Sequence, residues 1–94
     1  MTKQDKLNKL ADAFKSVSDP NRLRILCLAS SNKNACVSDI AKQLDQSLAI
    51  VSYHLNALAE AGFLVAKRKG KNICYTLSDD ALSLEINNLI CKYK

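Results

Sequence analysis

Two glycines, one proline and a single histidine are spread over 94 residues. So little glycine and proline, beside 48% hydrophobic and 24% charged residues, argues against disorder and fits a folded, mostly helical chain. No apolar run is long enough to span a bilayer, and the opening residues MTKQDKLNKL do not read as a signal peptide. The expectation is therefore a cytoplasmic protein with no membrane partner. A glycine-rich phosphate loop is missing, no paired carboxylates form a cleft signature, and His54 has no second histidine to work with. No catalytic constellation is legible, and an enzyme is not expected. The four cysteines, Cys27, Cys36, Cys74 and Cys91, include no CxxC pair, which removes a sequence-local zinc knuckle. No metal site and no cofactor is assigned. In the cytoplasm all four thiols are expected to rest reduced.

No repeat, linker or low-complexity tract divides the chain, so residues 1–94 read as one domain. A domain this small buries a modest core, and burial between two subunits would help it. The net charge of +5 and pI of about 9.1 favour an anionic partner.

Periodicity supplies the elements. Leu7, Leu10, Ala11, Phe14 and Val17 make one apolar stripe, predicting a helix from Gln4 to Val17. Asp19-Pro20 restarts the chain, Asp19 as N-cap and Pro20 at the first helical position, where a missing N–H costs nothing. The helix from Pro20 to Ala29 is apolar nearly all round its second half and should be a core helix. Residues 30–34 read as a loop. Ser38 is expected to cap a short helix to Leu44, and Ser47 a longer one to Ala61, stopped by Gly62. Phe63 to Lys67 and Asn72 to Leu77 read as strands joined at Lys69-Gly70. Ser78 or Asp79 should cap a last helix carrying Leu82, Ile86, Leu89, Ile90 and Tyr93 as a second apolar stripe. Two helices joined by a short turn and followed by a basic hairpin describe a winged helix-turn-helix: mostly α in an α+β fold, with a two-stranded wing and terminal helices suited to dimerisation.

At 100° per residue, Val51, Leu55, Leu58 and Ala59 of the fourth helix face the core, while Ala49, Tyr53, Asn56, Ala57 and Glu60 face away. The N-terminal part of a recognition helix reaches base edges. Ser47, Ala49, Ile50, Ser52, Tyr53 and His54 are therefore candidate DNA contacts, with hydroxyls for phosphates or bases and apolar groups for thymine methyls. His54 alone is more often structural or phosphate-bonding. Lys67, Arg68, Lys69 and Lys71 crowd the hairpin turn, where the phosphate backbone of double-stranded DNA would lie. The plain alternative is a solvated turn.

The segments SDPNRLRIL (Ser18 to Leu26), VSDIAKQL (Val37 to Leu44), VSYHLNALAEAGFL (Val51 to Leu64) and the wing ending in YTL resemble the ArsR/SmtB bacterial repressors, in order and at the right spacing from about Phe14 to Tyr93. The resemblance implies a homodimer built on the first and last helices, binding to an inverted-repeat operator, and release when an inducer is sensed. There are departures. The family usually has a polar residue, often Gln, at Leu48, and Leu48 is expected nearer the core side. The family's arsenic or cadmium box is CVC; here Ala35-Cys36-Val37-Ser38 keeps only the first thiol. The family's zinc site needs Asp and His in the last helix, which here holds no histidine. Both metal sites look lost.

The placement of Cys27 in the second helix and Cys91 in the last resembles the branch of the family that senses sulfide, persulfides or oxidants. The alternative for Cys27 is a small buried hydrophobe. Cys74 is expected to be inert in its strand. Cys36, just before a helix N-terminus, is a second candidate, as a reactive thiol or a remnant of a metal box. Two rival functions stand beside the thiol-responsive repressor: a metal-responsive repressor using Cys27, Cys36 or Cys91, and a winged-helix module that binds protein and has lost DNA.

Overall fold

The computed structural model describes residues 3–31 and 35–93. Within them the chain forms α1 (Lys3–Val17), α2 (Pro20–Ser31), β1 (Ala35–Cys36), α3 (Val37–Leu44), α4 (Leu48–Glu60), β2 (Leu64–Lys69), β3 (Asn72–Leu77) and α5 (Ala81–Lys92). The strands make an antiparallel sheet in the order β1-β3-β2. This is a winged helix-turn-helix, mostly helical.

Local chemistry explains most of the boundaries. The Oδ1 of Asp19 accepts the amides of Asn21 at 2.8 Å and Arg22 at 3.3 Å, so Asp19 caps α2 as expected. At the other end Ser30 and Ser31 are helical rather than looped. Their hydroxyls donate to the carbonyl of Cys27, which holds the last turn. The rest of the expected loop, 32–34, lies outside the described residues.

Gly62, at φ +90, ends α4 in a Schellman motif. Its amide donates to Ala59 O, and the Phe63 amide donates to Leu58 O at 2.9 Å. Leu58 and Phe63 are both fully buried and supply the apolar contact that accompanies this motif. Phe63 is therefore the helix stop, not the first strand residue, and β2 begins one residue later and reaches Lys69.

Two expected caps are corrected. Ser38 lies inside α3, and Cys36 holds the cap position with no side-chain bond. Pairing of β1 with β3 keeps Cys36 extended, so the helix starts directly behind it. The cap of α5 is Asp80, whose Oδ2 accepts the Ser83 amide at 3.1 Å. Ser78 is occupied elsewhere: it is buried, its amide donates to Phe63 O, and its Oγ accepts the Asp80 amide. The two-residue β1 is too short to leave a period-2 signal.

Helix α2 is the centre of the core, as its apolar second half requires. It packs against the other four helices and β3. Ile25 and Leu26 meet Val51, Leu55 and Leu58 of α4, Ile40 of α3, and Phe63 in one cluster. Truncating a buried leucine in such a cluster costs about 2–5 kcal/mol. The stripes on α1 and α5 are only half used. Ala13, Val17 and Ile86 are buried, whereas Leu7, Phe14, Leu89 and Tyr93 remain exposed in the single chain.

Candidate nucleic-acid interface and cysteine pairs

The turn between α3 and α4 sets the reading helix. Asp45 adopts a left-handed conformation (φ 54, ψ 46), and its amide donates to Lys42 O while that of Gln46 donates to Ala41 O. This is a second Schellman stop, built on an aspartate, which tolerates positive φ better than most side chains. Two residues on, the Oγ of Ser47 accepts the Ile50 amide at 3.2 Å and caps α4. The hydroxyl proton of Ser47 stays available to an acceptor outside.

The faces of α4 divide as the helical period requires. Val51, Leu55 and Leu58 point inward, and Ala49, Ile50 and Tyr53 outward, with Ser52 half-buried between them. Leu48 is corrected: it is 58% exposed at the first position of the helix and packs into no core. As the first residue of the helix it meets solvent although it lies nearer the core side by angle.

His54 is also corrected. It is only 9% exposed, and its Nδ1 accepts from Nε of Arg22 at 3.1 Å. The same guanidinium donates through Nη1 to Ser16 O at 3.0 Å and lies 5.7 Å from the centroid of the Tyr53 ring. Arg22 thus ties the end of α1 to the middle of α4, and His54 is held inside rather than offered to DNA. The contact spans 32 residues of sequence and leaves no local mark. Asp19 belongs to the same cluster. Burial alone would raise its pKa, but the hydrogen bonds from the amides of Arg22 and Asn21 and the nearby Arg22 guanidinium outweigh it and hold the carboxyl below its ordinary value.

The wing carries its cations outward. Lys67, Arg68, Lys69 and Lys71 are all exposed, and no acidic residue lies between Leu64 and Leu77. Lys69 faces Asn72 across the hairpin, leaving Gly70 and Lys71 as the two central residues. Positive φ at Gly70 alone (φ 62) is the type II′ pattern, whose twist matches the strands. Behind the tip, the hydroxyl of Tyr75 donates to Asn56 Oδ1 at 3.0 Å and fastens β3 to α4. Burial raises the pKa of Tyr75, so the donor proton is retained.

The cysteines form two pairs. Cys27 Sγ and Cys91 Sγ lie 3.9 Å apart across α2 and α5, both half-buried. Ser30, missed in the sequence, places its Oγ 3.3 Å from Cys91 Sγ. Beside them runs an apolar groove of about 920 Å³, lined by Leu23, Cys27, Leu28, Leu44, Leu89 and Tyr93 among others. Cys36 and Cys74 are joined by a disulfide between β1 and β3. This corrects the view of Cys74 as inert and of all four thiols as reduced: the sheet register sets the two residues opposite each other. Among the described residues, no three His, Cys, Asp or Glu side chains gather as a metal site.

Known proteins share this fold. The family model described as "Bacterial regulatory protein, arsR family" matches residues 19–65, from the α2 cap to the start of the wing. A helix-turn-helix-type transcriptional regulator of Methanocaldococcus jannaschii, itself uncharacterised, is 37% identical over 86 residues, covering 92% of this chain and 96% of that protein. The arsenical resistance operon repressor of Escherichia coli is 42% identical over 65 residues, which cover 69% of this chain and 56% of the repressor. Among solved structures, a homodimeric winged helix-turn-helix DNA-binding domain from Mycobacterium bovis superposes with a TM-score of 0.81 at 26% identity, over 94% of this chain and 80% of that one. The half-chain family match, centred on the helices and turn that carry the reading face, establishes that this protein belongs to the ArsR family of winged-helix transcriptional regulators and is not an enzyme.

Proposed function

We propose that the chain is a homodimeric transcriptional repressor that binds an inverted-repeat operator in double-stranded DNA and is released from it by sulfur chemistry at Cys27 and Cys91. It acts in the cytoplasm. Ser47, Ala49, Ile50, Ser52 and Tyr53 meet the major groove, and Lys67, Arg68, Lys69 and Lys71 meet phosphates. The unburied stripes on α1 and α5 favour a dimer: Leu7, Phe14, Leu89 and Tyr93 are large apolar groups that a second subunit would cover. The related domain from Mycobacterium bovis is a homodimer.

The observation that carries the sensing role is the 3.9 Å between the two thiols. A direct disulfide needs the sulfurs at about 2.05 Å, whereas a trisulfide spans roughly 3.3 Å between its outer sulfurs. Sulfur insertion therefore asks less movement of α5 than direct oxidation, and favours a persulfide as the stimulus. Each thiol takes one sulfur from a small persulfide and releases the corresponding thiol. One protein persulfide anion then attacks the protein-bound sulfur of the other, closing Cys–S–S–S–Cys and expelling hydrosulfide. Ser30 can turn its hydroxyl to the Cys91 sulfur as charge develops there. Asn87, one turn before Cys91, is buried with no hydrogen-bond partner for its Oδ1 among the described residues. A helix held by an unsatisfied contact has less to lose by shifting.

The test is anaerobic treatment of the reduced protein with a persulfide donor, read by peptide-resolved mass spectrometry and by DNA affinity. The expected result is a sulfur-extended Cys27–Cys91 link with loss of operator binding. Unmodified thiols, or a link that leaves affinity unchanged, would overturn the sensing role.

A further inference from the structure

Cys36 and Cys74 lie on facing positions of β1 and β3, with Cα atoms 4.0 Å apart, on different elements from the Cys27–Cys91 pair. The loop that their bond closes has a sequence separation of 38. It contains α3, the turn at Asp45, α4, β2 and the tip of the wing, which is every candidate DNA contact. We propose that this pair is a second redox modification site, oxidised by a hydroperoxide, whose disulfide locks the wing to the helix-turn-helix and tightens DNA binding. The inference rests on the DNA-binding reading above but not on the sensing role of Cys27 and Cys91.

Three features set the site up. First, β1 is two residues long and, among the described residues ahead of α3, alone pairs with the sheet. Two paired residues hold a strand weakly, so the covalent link decides how firmly the start of α3 is tied to β3. Second, the bridge and the Tyr75–Asn56 hydrogen bond grip β3 at consecutive residues, which point to opposite faces of the sheet. With both in place, β3 is fixed to α3 and to α4. With the bridge open, the edge of the strand opposite β2 keeps only the two-residue backbone pairing with β1 among the described strands. Third, the two thiols have unequal access. Cys74 is 1% exposed, while Cys36 is part-exposed at the N-terminus of α3. Cys36 is thus the thiol that a hydroperoxide can reach. In the same cross-strand row, Lys67 faces Cys74 from β2.

The chemistry follows from that asymmetry. The Cys36 thiolate attacks the peroxide O–O bond, which breaks; the sulfur becomes a sulfenic acid and the alcohol or water leaves with a proton. The Cys74 sulfur then attacks the sulfenyl sulfur. The S–S bond forms, the S–O bond breaks, and hydroxide departs as water with the Cys74 proton. The two thiols supply the two electrons that reduce the peroxide, and a dithiol reductant reverses the step.

The test uses the full chain with Cys27→Ser and Cys91→Ser, so that the sensing pair is absent. Affinity for a mixed-sequence duplex is measured after peroxide and after dithiothreitol, with the Cys36–Cys74 link followed by mass spectrometry. The oxidised form is expected to bind on the order of tenfold more tightly, a usual size for coupling between two sites. Adding Cys74→Ser should erase the difference. Equal affinity with the bridge present and absent, or no bridge after peroxide, overturns the proposal. Hydrogen exchange on the natural chain guards against variants that fold poorly. Amides of β1 and β3 should be better protected in the oxidised form, and equal protection also overturns it. A chain that bound DNA in neither state would refute the DNA-binding reading instead, and exchange would still decide the bridge.

Discussion

Replacing Lys67, Arg68 and Lys71 together with Ala gives the sharpest check on the wing. All three side chains are exposed, and no carboxylate in the hairpin competes for them. If each neutralises one phosphate, a dimer loses six contacts. At roughly 0.9 slope units per contact, the dependence of log affinity on log salt should flatten by about 5 units. Between about 50 and 200 mM salt, that removes on the order of a thousandfold of the affinity change. The loss should be the same on any duplex, because phosphates carry no sequence. The fold should survive, since exposed substitutions usually shift stability by less than about 0.5 kcal/mol each. Fluorescence anisotropy across a salt series, with a thermal melt as control, measures both. A variant that melts normally and keeps its full salt slope would show that the hairpin is a solvated turn and that the phosphate contacts lie elsewhere.

Four further outcomes follow from particular residues. Gly62→Ala meets no atom within 4 Å at the new Cβ, so only its φ of +90 opposes the change. A loss of about 1–2 kcal/mol is expected from urea unfolding, and an unchanged midpoint would contradict the left-handed stop. Leu48→Gln should shift stability by less than about 0.5 kcal/mol, because the side chain is exposed; a loss of about 2 kcal/mol or more would mean that Leu48 packs in the core. Tyr53→Ala should cost more affinity on the operator than on random DNA, since the ring is 66% exposed on the reading face; equal losses would make it a phosphate contact only. The hydrogen bonds to the carboxylate of Asp19 hold its pKa below the ordinary value in the folded chain, so the stability it adds is present above the unfolded-state pKa and is lost as pH falls through the lowered one. Asp19→Asn should therefore show a shallower loss of stability in acid, and parallel acid limbs for the two proteins would refute the assignment.

Much of the fold was legible because it is written in local chemistry. The Asp19-Pro20 start of α2, the Ser47 cap and the Gly62 stop each need only a few adjacent residues. The inward row Val51, Leu55, Leu58 follows from helical period alone. The hairpin at Gly70 is likewise a local event and its crown of lysines and arginine is legible in the sequence, although the turn is centred on Gly70-Lys71 rather than on Lys69-Gly70. Boundaries shifted where a residue had a distant competitor. Ser78 is not a cap because Phe63 and Asp80 claim its polar groups, and Ser38 is not a cap because β3 keeps Cys36 extended.

The site was harder to read for the same reason. His54 flanks the boundary between the two faces of α4 by angle, and only the contact with Arg22 from α2 decides that it sits inside. Leu48 belongs inward by angle, yet at the first position of the helix it meets solvent. The pairing of Cys74 with Cys36 depends on β1, which is too short to signal itself. Sequence alone, then, determined the order of helices, the basic wing and the winged helix-turn-helix class, because caps, periods and turns act within a few residues. Which thiols meet, which side chains of α4 face outward at its ends, and which arginine braces the reading helix were decided only by tertiary structure. Those contacts join residues 32 to 64 positions apart, and no local pattern encodes a register between distant strands and helices.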